Sequence, residues 1–199
     1  NIFMISQSLL IYRLTGSAIL LGVVNLVFSL TLLVSSPFGG AIADRVSKKT
    51  ILLSGRIVII LLRLGIAVAL TIGYLSSGNT NSWWLLIIST AISGIASGFT
   101  MPASQAIIPE MVGKKLLMNA VALSNLAMSV LRLIGPAIAG FLIDAYDFHV
   151  VFFTMAGLNI ISAVLMASLP FTNKATKAGG KLLTNILEGL KYVRRNKTI

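Results

Sequence analysis

Four charges crowd the run Gly39-Gly40-Ala41-Ile42-Ala43-Asp44-Arg45-Val46-Ser47-Lys48-Lys49, which divides two apolar segments, each long enough to cross a bilayer. An acid beside three cations in a short tether lacks the nucleophile–base pairing that covalent catalysis needs, but it can make and break ion pairs. We expect Gly40, Asp44, Arg45, Lys48 and Lys49 to form a conformational latch, with Asp44 bridging to helix ends or to charges elsewhere. A plainer reading leaves the basic residues only the task of fixing topology, and it has no use for Asp44, because a topogenic loop needs no acid. Two more arginines, Arg63 and Arg132, fall about halfway along apolar segments, too far from either end for easy snorkelling. They are candidates for lining a central path, binding an anionic substrate group or pairing with a carboxylate; the alternative is a buried arginine bonded to backbone carbonyls. Arg56 lies nearer an end and can snorkel. Asn25, Gln105, Asn125 and Asn159 are lesser cavity candidates, each also readable as an interhelical hydrogen bond.

These residues sit in a chain of 199 residues that is 56% apolar and 11% charged, with a mean hydropathy of +0.95. A water-soluble domain could not cover that much apolar surface. One span needs roughly 20 mainly apolar residues, and spans are expected at about Ser17 to Ala43, Thr50 to Leu75, Trp83 to Thr100, Asn119 to Ile143 and His149 to Leu169. Asn1 to Tyr12 reads as the outer end of a further helix whose beginning is missing. A start on Asn, with neither Met nor a basic region before the apolar run, points to a fragment.

Basic residues set the orientation, since Lys and Arg in short loops stay on the cytoplasmic side. Arg45, Lys48 and Lys49, then Lys114 and Lys115, then the cations from Lys174 to Lys197 fall after alternate spans, so those loops and the tail face the cytoplasm. Arg13 is the exception on the outer side, where the last loop carries Asp144 and Asp147. The net charge of +11 is therefore mostly topology, and a nucleic-acid partner is not expected. With no cysteine and one histidine, disulfides, thiolate metal sites and a multi-histidine zinc site are excluded. His149 reads as an interfacial residue. No phosphate-cradling glycine loop and no enzyme constellation is present, and no cofactor is expected.

Two domains follow: a bundle over residues 1–169 and a cytoplasmic linker over 170–199. In the linker, Leu183, Ile186, Leu187, Leu190 and Val193 recur at three- and four-residue steps, which predicts an amphipathic helix over about 181–195, lying on the inner leaflet. An internal echo adds to this picture. Pro37, Gly40 and Asp44 close the second span much as Pro136, Gly140 and Asp144 close the fifth, the pattern of three helices repeated in inverted topology.

Written as G-x-x-x-D-R-x-x-K-K, the run from Gly40 to Lys49 resembles the signature loop between the second and third helices of major facilitator superfamily transporters, with Ser47 where that loop usually has glycine. Arg132-Leu133-Ile134-Gly135-Pro136-Ala137-Ile138-Ala139-Gly140 resembles the superfamily's antiporter motif through Gly135, Pro136 and Gly140, with Ala139 in place of one glycine of the closing pair. The chain as a whole is similar to the enterobactin exporter and macrolide efflux branch. The resemblance implies an all-α membrane protein, a six-helix N-terminal bundle of a 12-helix fold with its first helix truncated, whose C-terminal six-helix half is missing. It implies an exporter of small amphiphilic molecules in the cell membrane, working by alternating access, with lipid, a small-molecule substrate and, for an antiporter, protons as partners. An uptake permease and a non-transporting scaffold or assembly subunit are the alternatives. No Asp or Glu falls near the middle of a span, and Thr90 and Ser93 stand where another superfamily motif has Arg and Gln. A proton carrier would then lie in the absent parts or at Asp44, Glu110 or Asp144. Gly94 and Gly98 form a small-residue packing face.

Overall fold

The computed structural model describes residues 2–43, 45–76 and 82–168. Asp44 and the tail from Leu169 onward, including the amphipathic helix expected over about 181–195, lie outside the described residues. Within them the chain is helical: α1 (Ile2–Thr15), α2 (Ala18–Ala43) and α3 (Lys48–Thr71) come first. The trace from Trp83 to Tyr146 is then broken at Gly113, whose φ of 68 and ψ of 170 no helix contains, giving α4 (Trp83–Pro109) and α5 (Lys115–Tyr146), followed by α6 (Phe148–Ser168). The five helices α2 to α6 are long and apolar enough to cross a membrane.

Glycine sets the tight turns. Gly16, Gly73 and Gly113 all have positive φ, a region open to glycine at little cost, and they close α1, α3 and α4. The α4 and α5 helices run longer than their hydropathy suggests. The apolar run of α4 fades after Thr100, yet its helix passes through Pro102 to Pro109, because Ala103 and Ile107 continue to bury against Ala43, Ile51 and Leu52.

Packing is organised as two apolar clusters at opposite ends of the bundle. One gathers Leu10, Ile11, Val24, Ile66, Ala67, Leu86, Phe148 and Phe152 from α1, α2, α3, α4 and α6. The other holds the end where the basic loop lies. Between them α2 and α4 cross at very short range. Gly94 and Gly98 of α4 face Thr31 and Ser35 of α2, and Gly39 faces the Gly98 backbone. Small residues every four positions on both helices permit this approach. The hydroxyls stay satisfied inside their own helix, Thr31 Oγ1 donating to Val27 O at 2.7 Å and Ser35 Oγ to Thr31 O at 2.5 Å. Gly55 brings α3 equally close to Thr100 of α4.

Candidate functional site

The loop after α2 is built from helix ends. The backbone N–H groups of Arg45 and Val46 both donate to Ile42 O, at 3.0 and 2.9 Å, which satisfies one of the carbonyls a helix end leaves open. Ser47 caps α3: its Oγ accepts the Thr50 N–H at 3.1 Å, with φ −55 and ψ 124 at the cap. Glycine at that position would supply no such acceptor, so the departure from the family pattern has a local cause. Lys49 Nζ donates to Ala167 O in the last turn of α6 at 2.7 Å, a cation where the helix macrodipole is negative. The loop is thus tied to α2, α3 and α6 together. Gly40 has open space where a side chain would stand, whereas a Cβ on Gly39 would collide with the Gly98 carbonyl oxygen. Asp44 lies outside the described residues.

In α5 the glycine–proline stretch presents one narrow edge to the bundle. Gly135 and Ala139 are buried, Pro136 is half-buried, and Arg132 and Gly140 are exposed. Asn125 and Asn25 are exposed as well, and Asn25 Nδ2 donates within its own helix to Leu21 O at 2.9 Å. Gln105 is exposed. Arg63 does not join these residues. It packs between three helices, with its guanidinium 5.1 Å from the Phe3 ring centroid and Nη1 directed at Met155 O at 3.5 Å. Its Nε is buried with no hydrogen-bond partner among the described residues.

Arg63 is the innermost of three cations on one face of α3. Lys49, Arg56 and Arg63 are spaced seven apart, two helical turns each, and each reaches α6. Arg56 Nη1 donates to Asn159 Oδ1 at 3.1 Å, while Asn159 Nδ2 donates to Met155 O at 2.7 Å. Asn159, expected as an interhelical hydrogen bond, is one.

The family model of the Major Facilitator Superfamily matches residues 1–199. The chain belongs to the Major Facilitator Superfamily. Among curated relatives it is 29% identical over 189 residues to an uncharacterized MFS-type transporter, YfiS, of Bacillus subtilis (strain 168), covering 92% of this chain and 43% of that protein. It is 32% identical over 161 residues to the staphyloferrin A transporter of Staphylococcus aureus (strain NCTC 8325 / PS 47), covering 81% and 39%. It is 32% identical over 146 residues to the multidrug resistance protein MdtG of Serratia proteamaculans (strain 568), covering 71% and 32%. The chain spans less than half the length of each of these relatives. The helices match the N-terminal half of a superfamily fold, and the protein is a multi-pass membrane protein.

Two polar contacts of this superfamily chain were not foreseen as sites. Gln7 of α1 is 1% exposed, and its Nε2 faces Leu86 O at 2.7 Å, Ser89 Oγ at 3.0 Å and Thr90 Oγ1 at 2.6 Å. Gln7 Oε1 and Ser6 Oγ have no partner among the described residues. Thr90, noted in the sequence for standing where the superfamily has a charged residue, thus meets a neutral amide. The sequence signal was the polar run Ser6-Gln7-Ser8 inside an apolar segment. At the far end of the bundle Arg13 Nη1 pairs with Asp147 Oδ1 at 2.5 Å and lies 5.4 Å from the Phe148 ring centroid. The Phe148 N–H holds the Asp147 carboxyl below the usual carboxylate range against the opposing effect of burial, and the Arg13 guanidinium adds to the lowering. Asp147 has φ 73 and ψ 172, close to the values at Gly113, so an acid occupies a backbone conformation suited to glycine.

Proposed function

We propose that this chain is the N-terminal half, residues 1–169 and the start of a linker, of a secondary active exporter of small amphiphilic molecules. The observation that carries the reading is the basic loop bound at once to α2, α3 and α6. A charged loop that joins three helix ends at one face of a bundle can transmit a charge contact made by Asp44 to the whole half as a rigid body. In this reading that face is cytoplasmic, as is the tail, the membrane is the cell membrane, and the two halves rock about a central path. Gly135 and Pro136 of α5 belong to the surface that shifts during rocking, with Arg132, Asn25 and Asn125 on helix faces left open for that path and for the other half. Protons are the proposed coupling ion, carried at a loop acid or in the other half. The names of the relatives support transport of small molecules of the drug or siderophore type, since one is a staphyloferrin A transporter and another a multidrug resistance protein.

Efflux of Hoechst 33342 from cells lacking their own pumps tests it. Cells making the full-length protein are expected to clear the dye faster than control cells. Asp44→Asn is expected to lower the rate by about tenfold, the scale of a lost charge-assisted contact, at equal membrane abundance by immunoblot. Equal clearance with and without the protein would remove the exporter reading, and wild-type rates in Asp44→Asn would remove the latch.

A further inference from the structure

One edge of α5 changes character halfway along the helix. At about 100° per residue, Asn125, Met128, Arg132, Ala139 and Ile143 fall on a single stripe about 60° wide. In the half toward Tyr146 this stripe packs against the bundle: Ala139 is 0% exposed, and Ile143 lies against the cluster of Leu10, Ile11 and Phe148. In the half toward Lys115 the same stripe is uncovered. Arg132 and Asn125 are exposed, and Met128 between them is 59% exposed. A helix keeps its phase, so the stripe that meets the bundle at one end still turns inward at the other. Arg132 and Asn125 therefore open onto the inner side of α5 and not onto lipid.

Arg132 lies 17 residues beyond Lys115 and 14 short of Tyr146, about 25 and 21 Å along the helix and within about 3 Å of its middle. A lipid headgroup, about 15 Å from the middle of the hydrocarbon core, is beyond the reach of its side chain. A guanidinium carries five N–H donors, and those of Arg132 make no hydrogen bond or ion pair among the described residues. An arginine in the middle of a span needs a cavity or a partner. The acids of the chain, Asp44, Glu110, Asp144, Asp147 and Glu188, all lie away from the middle of the spans. At mid-depth this half thus carries positive charge with no counter-charge of its own, a field that draws anions.

A carboxylate can answer that charge from a ligand, or from an acidic side chain in the protein beyond this chain. A fixed acid would place an ion pair that is costly to break one turn from Gly135 and Pro136, on the surface that shifts during rocking. A ligand comes and goes with the cycle. The guanidinium fork suits a planar carboxylate, and the flexible thioether of Met128 suits an apolar body of varied shape. Asn125 sits about 10 Å farther along the stripe, with its side-chain amide exposed; the Ser129 hydroxyl beside it is committed to Asn125 O at 2.9 Å.

We propose that this stripe of α5 is an anion-recognition element of the central path. Arg132 takes the carboxylate of an amphiphilic organic anion, Met128 lies against its apolar body, and Asn125 bonds a polar group toward the Lys115 end. The proposal rests on the exporter reading and names its substrate class.

The test uses two probes of one shape, 1-pyrenebutyrate and 1-pyrenebutanol, titrated by fluorescence anisotropy into full-length protein in detergent, with empty micelles as the blank. The wild type is expected to bind the acid about tenfold tighter than the alcohol, the worth of a charge-assisted bidentate contact. Arg132→Gln is expected to bring the two within about twofold of each other, and Arg132→Lys, with charge but no fork, to keep a preference of about threefold. Equal binding of acid and alcohol by the wild type would overturn the proposal, and is the result that a protein carboxylate already seated on Arg132 would give. A preference that survives Arg132→Gln would overturn it as well. Counterflow of 1-pyrenebutyrate in proteoliposomes separates this failure from failure of the exporter reading. A preference for the acid without counterflow sinks the exporter and leaves the site. Counterflow by Arg132→Gln at the wild-type rate sinks the site and leaves the exporter.

Discussion

The α2–α4 crossing and the α3–α6 seam hold one bundle together by opposite means. At the crossing, Gly39, Gly94 and Gly98 let backbones touch, and every small hydroxyl that reaches the contact bonds back into its own helix. A Cβ on Gly39 would meet the Gly98 carbonyl oxygen and one on Gly98 would meet Ser35 Cβ, so neither glycine can grow without moving a helix. At the seam, long cations reach from α3 to carbonyl and amide oxygens of α6, and Arg63 Nε has no hydrogen-bond partner among the described residues. A contact set by shape is suited to rigidity, while one set by long polar side chains can rearrange without moving a backbone. The two seams of this half-bundle therefore differ in how much substitution they tolerate.

The sharpest way to break the contrast is at adjacent glycines. Gly39→Ala forces a methyl group into the Gly98 carbonyl and should lower stability by about 1–3 kcal/mol, the cost of overpacking. Gly40→Ala meets open space and should change stability by less than about 0.5 kcal/mol. Denaturant unfolding of the two variants in detergent reads the difference. Arg63→Met tests the other seam in the opposite direction: replacing a poorly satisfied cation by an apolar side chain of similar length should raise stability by about 1 kcal/mol, read as a higher melting temperature. At the loop, Ser47→Ala should cost about 1 kcal/mol and Ser47→Gly only a few tenths, by the same measurement.

A modest effect belongs to Arg13 and Asp147, a pair exposed at the surface. Asp147→Asn should cost less than about 1 kcal/mol at neutral pH. Because folding depresses the Asp147 pKa, the pair contributes fully above the usual carboxylate range and fades as pH falls through the lowered value. Melting curves of wild type and Asp147→Asn should therefore converge in acid. Asp147→Gly, which relieves the positive φ, should cost less than Asp147→Ala.

Hydropathy made the helices legible, since each span is an apolar run bounded by Gly, Pro or charge. It stopped short at α4, where the helix continues to Pro109 beyond its apolar run, held by burial of Ala103 and Ile107 rather than by composition. The motif located the loop but not the work within it. Which of two neighbouring glycines meets α4 depends on helix phase, and the burial falls on Gly39. Ser47 looked like a departure and serves as a helix cap. Arg63 stood out because an arginine midway along a span is costly. The seven-residue step from Lys49 through Arg56 to Arg63 was present in the letters, yet its meaning needed α6 alongside to supply Ala167, Asn159 and Met155. Arg13 broke the charge rule in the sequence, and its partner, Asp147, is 134 residues away. Gln7 gave no periodic signal at all, because one buried amide in a short helix has none to give.

Melting temperatures of the full-length wild type, Gly39→Ala and Arg63→Met test the contrast between the two seams most directly. Gly39→Ala should melt below the wild type, and Arg63→Met above it. A Gly39→Ala variant as stable as the wild type, or an Arg63→Met variant less stable than it, would contradict the account.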